Sequence, residues 1–328
     1  MMNCAYDVLG VGNAIVDILA PISDALLEAH GMAKGSMALV DEQQARRIYD
    51  AMGPAVEASG GSAANTIAGL ASFGNQTAFI GRVKKDEFGQ IFAHDLRSLG
   101  VTFQSAPAGT GPATARCLIL VTPDAQRTMN THLGASAQLT EADIDPDLIA
   151  AAAITYLEGY LFDPPQAKEA FRKAARIARE NGRQIALTLS DSFCVERHRD
   201  EFRELIREHV DILFANEAEI HALFESADLH EAANRLSRMV QIAAITRGEQ
   251  GSLLVSAGQR TEVSAQPAST LVDTTGAGDL YAAGVLHGLS RGLPLEECGR
   301  LGSMAAAEVI SHYGARPETS LASLTLAA

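Results

Sequence analysis

Along most of the chain, short apolar runs rich in Val, Ile and Leu alternate with amphipathic stretches of about ten to fifteen residues. That rhythm marks repeated strand–helix–strand units. It predicts an α/β fold, a doubly wound and mainly parallel sheet covered by helices. The predicted strands are residues 6–11, 77–80, 154–157, 185–189, 212–215 and 242–246. Two helices have legible ends. Residues 86–99 place Phe88, Phe92, Leu96 and Leu99 at helical spacing behind Asp86, a good N-cap, and Gly100 stops them. Residues 165–180 repeat the pattern and close at Asn181-Gly182.

Two stretches break the rhythm. Residues 13–50 contain a short strand at 36–40, and residues 103–131 read as strand, a Thr122-Pro123-Asp124-Ala125 turn, then strand. These pieces lie far apart in sequence, so a small sheet built from them is a discontinuous lid and not a second domain in series. The expected division is a core of residues 1–12, 51–102 and 132–328, with lid and acceptor-binding segments at 13–50 and 103–131.

Composition narrows the function. With 328 residues, 47% of them hydrophobic and 20% charged, the chain can bury a sizeable core and shows no sign of disorder. A net charge of −14 argues against a nucleic-acid partner, whose phosphates require clustered Lys and Arg. The longest apolar stretch, residues 148–157, is about half the ~20 residues a membrane span needs. The opening MMNCAYD lacks the charged and apolar regions of a secretory leader, so a cytoplasmic location is expected. Cys4, Cys117, Cys194 and Cys298 are scattered without CxxC spacing and read as buried thiols; the nine His form no metal-ligand cluster.

Candidate chemistry concentrates in Asp273-Thr274-Thr275-Gly276-Ala277-Gly278-Asp279, which opens a small-residue helix. Gly276, Ala277 and Gly278 let the backbone turn tightly and aim unpaired N–H groups at an anion. Asp279, in the first helical turn, is placed to accept the proton of an attacking hydroxyl beside a phosphate. The same residues also read as a capping Asp with glycines for helix packing. A second motif, Gly60-Gly61-Ser62-Ala63-Ala64-Asn65, combines close backbone approach with hydroxyl and amide groups suited to a polyol, or simply starts a helix. Gly10-Val11-Gly12-Asn13-Ala14-Ile15-Val16-Asp17 begins like a dinucleotide fingerprint but has Ile15 where the third glycine belongs. Asn13 and Asp17 are therefore candidate hydroxyl ligands. Asn216 and Glu219, three apart at a helix start, either organise hydrated Mg²⁺ or cap the helix. No P-loop is present, and His198-Arg199-Asp200 lacks the companions of a protein-kinase catalytic loop.

Residues 60–74, Asn216 with Glu219, and residues 273–289 occur in the order found in the ribokinase, or pfkB, family of carbohydrate and nucleoside kinases, which the chain resembles over nearly its whole length. The resemblance implies a ribokinase-like core, a β lid over the acceptor, ATP with Mg²⁺, and K⁺ as a further ion. It implies Asp279 as base, with Gly276, Ala277 and Gly278 as the anion hole and Arg127 reaching the phosphates from the lid. Asn13, Asp17, Gly60, Gly61, Ser62 and Asn65 would surround the acceptor's hydroxyls. Asn216, Thr246, Gly248, Gly251 and Thr275 would lie on the nucleotide side, Glu219 and Asn216 at Mg²⁺ through water, and backbone around Asp273 and residues 311–315 at the monovalent cation. Residues 12–18 and 130–135 are more similar to adenosine kinases than to ribokinases or fructokinases, and Leu133 and Tyr160 fall where those enzymes surround a purine. The expected reaction is transfer of the ATP γ-phosphate to a primary hydroxyl, the 5′-hydroxyl of adenosine or a related nucleoside. The rivals are a kinase of ribose, fructose or 2-keto-3-deoxygluconate and a catalytically silent nucleoside-binding regulator. Either a monomer or a homodimer is compatible with the edge strands.

Overall fold

Nine strands form one sheet and five form another. In chain order they are β1 (Tyr6–Val11), β2 (Ile15–Pro21), β3 (Met37–Leu39), β4 (Val56–Gly60), β5 (Thr77–Ile80), β6 (Thr102–Phe103) and β7 (Ala115–Val121). They continue with β8 (Arg127–His132), β9 (Ala152–Glu158), β10 (Gln184–Thr188), β11 (Ile212–Asn216), β12 (Ile242–Thr246), β13 (Ser252–Ser256) and β14 (Gln259–Val263). This computed structural model describes residues 4–124 and 126–326. Residues 1–3 of the segment read for a leader, Ala125 of the predicted turn, and residues 327–328 lie outside the described residues.

The large sheet runs β14-β13-β12-β11-β10-β9-β1-β5-β6, parallel from β12 to β6. Its central strands are mainly apolar because helices cover both faces, with polar residues confined mostly to the strand ends. On one face the helix Pro165–Glu180 buries Phe171 near Phe162 and Phe202. On the other the helices Ser62–Ser72, Ala277–Ser290 and Leu295–Val309 pack over Phe79, Phe92 and Phe103 and their neighbours. Gly69 brings the first two of these together: a Cβ there would stand 2.6 Å from Leu280 Cδ1. The expected N-cap holds, since the Asp86 carboxylate accepts the Gly89 N–H at 2.9 Å.

The antiparallel β13–β14 hairpin at one edge was not anticipated. Its turn residues Ala257 and Gly258 both have positive φ, the backbone of a tight two-residue hairpin.

The smaller sheet, ordered β3-β8-β7-β2-β4, is the lid. Its composition corrects the expected division: β4, assigned to the core, pairs antiparallel with β2. Two-residue periodicity turns Ile15 and Asp17 of β2, Cys117 and Ile119 of β7, Met129 and Thr131 of β8, and Met37 and Leu39 of β3 toward the space beneath the lid. No helix among the described residues is long and apolar enough to cross a membrane.

Candidate active site

Strand order reverses between β1 and β9, and open α/β sheets bind ligands beyond the carboxyl ends of strands at such a switch point. Here the chain leaves β1 through Asn13 into the lid, while β9 ends on Glu158. Asn13 Nδ2 donates to Glu158 Oε1 at 2.6 Å, and the Asn13 and Ala63 N–H groups donate to Oε2 at 3.3 and 2.9 Å. Gly61, φ +96, passes so close that a Cβ would lie 2.3 Å from the Asn13 carbonyl oxygen. Gly60 likewise abuts Asp17, and a Cβ there would lie 2.2 Å from Asp17 Oδ2.

Asp279 sits in the first turn of Ala277–Ser290. Its two oxygens accept from Ser62 Oγ at 2.6 Å and Asn65 Nδ2 at 2.9 Å, so the two glycine motifs converge on one carboxylate. Asn65 Oδ1 is buried without a hydrogen-bond partner among the described residues. Gly276 turns the chain into this helix with φ +79, and a Cβ there would be 2.7 Å from Ala315 Cβ. The Gly278 and Asp279 N–H groups have no backbone acceptor among the described residues, and beside Gly278 the space is open for 4 Å. Exposed donors at a helix N-terminus beside open space fit a phosphoryl group.

A cavity of about 730 Å³ joins these groups under the lid. Its walls include Asn13, Asp17, Gly61, Ser62, Asn65, Glu158 and Asp279 at the switch point. Leu133 and Tyr160 line it too, as do Asn216, Glu219, Thr246 and Thr275 through Gly278 on the other side. The expectation thus gathers most of its residues in one place. Gly60, Arg127, Gly248, Gly251 and Asp273 stand outside those walls. Gly251 serves the hairpin, where a Cβ would strike the Val263 carbonyl oxygen. Arg127 crosses from the lid to ion-pair with Asp273, donates to Thr275 Oγ1 at 2.8 Å and lies 5.3 Å from the Tyr313 ring centre. The other Asp273 contacts are the N–H groups of Thr275 and Gly314, both at 3.0 Å.

Burial dominates the electrostatics. It pushes Asp17 up to about 6, helped by the Asp279 charge and opposed by Arg316 and Arg127. Glu158 rises to about 7 through burial, against its hydrogen bonds from Ala63 and Asn13. Asp279 is raised by burial although Ser62, Asn65 and Arg316 favour its anion. Glu219, raised to about 7 by burial, forms a reciprocal capping box with Asn216, whose Nδ2 donates to it at 2.6 Å. Among the described residues no three His, Cys, Asp or Glu cluster as a metal cage. The donors fit an ion carried mainly by phosphates and water.

The pfkB family carbohydrate kinase profile matches residues 49–321. The chain belongs to the pfkB family of carbohydrate kinases. As a pfkB kinase it is an ATP-dependent phosphotransferase. It is 52% identical to the adenosine kinase of Sinorhizobium meliloti, covering 98% of this chain and 99% of that one with a TM-score of 0.91. It is 48% identical to a probable sugar kinase from Rhizobium etli CFN 42, covering 99% and 98% with the same TM-score. Similarity extends to the adenosine kinase of Saccharomyces cerevisiae, 27% identical over 93% of this chain and 94% of that one.

Two residues, Glu158 in the cavity wall and Arg316 behind it, escaped the sequence reading. Glu158 follows an apolar run with no motif around it, and only its place at a strand's carboxyl end marked it. Arg316 follows the 311–315 loop and donates to the Ser59 and Ala64 carbonyl oxygens, beneath the motif that carries Ser62 and Asn65.

Proposed function

We propose that this pfkB kinase phosphorylates the 5′-hydroxyl of adenosine or a closely related nucleoside, with Asp279 as base. One observation carries the nucleoside reading. The cavity brings polar groups, Asn13, Asp17, Asn65 and Glu158, suited to ribose hydroxyls, together with apolar side chains of the lid strands, Ile15, Met37, Leu39, Ile119 and Met129, and with Leu133 and Tyr160. A base has flat apolar faces to bury there, and a free sugar does not. The identity to the S. meliloti adenosine kinase supports the same reading.

In this reading Asp17 and Asn65 hold the ribose and Asn13 turns with Glu158 to complete its hydroxyl partners. Asp279 accepts the proton as the 5′-oxygen attacks, and the N–H groups of residues 276–278 stabilise charge on the transferring phosphoryl group. Thr246, Gly248, Gly251, Thr275 and Asn216 flank the nucleotide. Mg²⁺, held by the phosphates and water near Glu219 and Asn216, would supply charge neutralisation. Arg127 would exchange Asp273 for phosphate when ATP arrives, and K⁺ would sit at the backbone of 273 and 311–315. Closure of the two-sheet body, core 1–12, 61–102 and 132–328 with β2, β3, β4, β7 and β8 as lid, would exclude water as a competing acceptor. The enzyme would work in the cytoplasm, as a monomer or homodimer. The probable sugar kinase relative favours a second reading, a free sugar as acceptor.

The test is ADP release from Mg-ATP with adenosine, other nucleosides, ribose, fructose and 2-keto-3-deoxygluconate, with and without potassium. Selective turnover of adenosine is expected. Preferential turnover of a free sugar refutes the nucleoside assignment and leaves the kinase chemistry in place.

A further inference from the structure

Arg316 is a cation that makes no ion pair within bonding distance among the described residues, yet it is set among the carboxylates of Asp95, Asp17 and Asp279. Its guanidinium donates to the Ser59 carbonyl oxygen at 3.0 and 2.8 Å, to Ser59 Oγ at 2.8 Å and to the Ala64 carbonyl oxygen. Those acceptors belong to β4 and to the first turn of Ser62–Ser72. Ser59 is gripped from the other side too, its N–H donating to Asp95 Oδ2 at 2.7 Å. One step along β4, Gly60 lies against the Asp17 carboxylate. Within the same helical turn as Ala64, Ser62 and Asn65 hold both oxygens of Asp279. A single side chain therefore anchors the backbone on which both site carboxylates rest.

Its charge has a second effect. The charged groups facing the pair are Asp17 on β2, Asp279 on Ala277–Ser290, Glu158 on β9, Asp95 on Glu87–Ser98, Arg127 on β8 and Arg316 itself. Asp17 and Asp279 repel one another, and Glu158 feels Asp279 as well. Arg127 is committed to Asp273. Arg316 is the cation that both Asp17 and Asp279 share, and its own field comes from Asp95, Asp17 and Asp279. Two carboxylates that repel one another hold their protons more tightly when no cation balances them, and a protonated Asp279 is no base.

We propose that Arg316 is a positioning residue for phosphoryl transfer, which keeps Asp17 and Asp279 ionised together while fixing the backbone that orients them. The proposal rests on the reading of Asp279 as base. Arg316→Gln keeps part of the hydrogen bonding and removes the charge. Arg316→Lys keeps the charge and loses the fork.

The experiment is kcat and kcat/KM for the acceptor that turns over, from pH 5.5 to 9.5, for wild type, both variants and Asp279→Asn. Arg316→Gln should move the acid limb of kcat/KM upward by about one pH unit, a loss that approaches roughly tenfold at the acid end of the range and vanishes toward pH 9. Arg316→Lys should keep the wild-type acid limb with a lower plateau. An equal loss at every pH in Arg316→Gln, or an acid limb displaced as far in Arg316→Lys, overturns the proposal. Circular dichroism and thermal melting check folding. If Arg316→Gln does not fold, the Lys variant decides alone, because its charge is retained and any displaced limb contradicts the argument. Full turnover in Asp279→Asn would instead refute the base assignment, whatever the Arg316 profiles show.

Discussion

Replacing Glu158 by Gln should change how the stability of the protein depends on pH. The side chain is 1% exposed and accepts three hydrogen bonds, from the Asn13 N–H, Asn13 Nδ2 and the Ala63 N–H. Gln can keep the two backbone bonds through its oxygen and turn its NH₂ to the Asn13 amide oxygen once that amide flips. The isostere therefore removes the charge with little change of shape. Burial raises the Glu158 carboxyl from 4.5 to about 7, so the folded protein binds this proton more tightly than the unfolded chain. That contribution to stability is complete below pH 4.5 and is lost as pH rises through 7. At ~1.4 kcal/mol per pH unit, the loss amounts to about 3 kcal/mol. For a chain of this size, with an unfolding entropy of roughly 0.7 kcal/mol/K, that is about 4 °C in Tm. Thermal melts of the free protein and of Glu158→Gln between pH 5 and 8.5 measure it. Subtracting the two cancels the carboxylates remote from Glu158, while Asp279, whose charge Glu158 feels, contributes in the same sense. The wild type should lose ground steadily up to pH 7 and hold a constant deficit above it. A flat difference, or a wild type that gains as pH rises, refutes the claim that this carboxylate is buried against its charge.

Other substitutions probe the remaining parts of the site. Asp279→Asn should retain ATP binding by calorimetry and lose about 10²- to 10⁴-fold in kcat, and near-normal turnover would end its role as base. Asp17→Ala should raise the acceptor KM on the order of tenfold with little change in the ATP KM, whereas equal losses for both substrates would contradict a role at the acceptor. Gly60→Ala should repeat that split, because its Cβ would stand 2.2 Å from Asp17 Oδ2; unchanged acceptor kinetics would contradict the packing. Gly276→Ala forces a left-handed residue to carry a Cβ against Ala315. A loss of about 2 kcal/mol, near 3 °C in Tm, is expected, and an undisturbed melt would contradict the turn geometry.

The core was legible because its strands are covered on both faces and appear as unbroken apolar runs, as in residues 6–11 and 242–246. Strands that are half exposed were harder to read. In β4, Glu57 and Ser59 interrupt the pattern, and the strand ran into the Gly60-Gly61 motif as though it were its approach. The β14 strand carries Gln259, Arg260 and Glu262, and its hairpin turn has Ala257 in place of a stronger turn residue. Within the site, residues carried by motifs were legible, since Gly276, Asp279, Ser62 and Asn65 announce themselves by spacing. Glu158 and Arg316 were not, because each owes its significance to partners 145 and 257 positions away. The capping reading of Asn216 and Glu219 and their place in the cavity wall are both true of the structure: one box of hydrogen bonds fixes two side chains that face the ligand space.

The position of β1 has a consequence for how the protein is made. β1, the first of the described strands in chain order, is flanked in the finished sheet by β5 and by β9, whose last residue is Glu158. Every strand of the lid is translated before β9 begins. At about 5–20 residues per second, β1 therefore waits on the order of ten seconds for its second neighbour, with an apolar edge open to pairing. During that interval the nascent chain can complete its lid sheet. Glu158, Tyr160 and Asp279 all arrive after the last lid strand, so the newborn enzyme has every strand of its lid before it has the residues that complete the pocket beneath it.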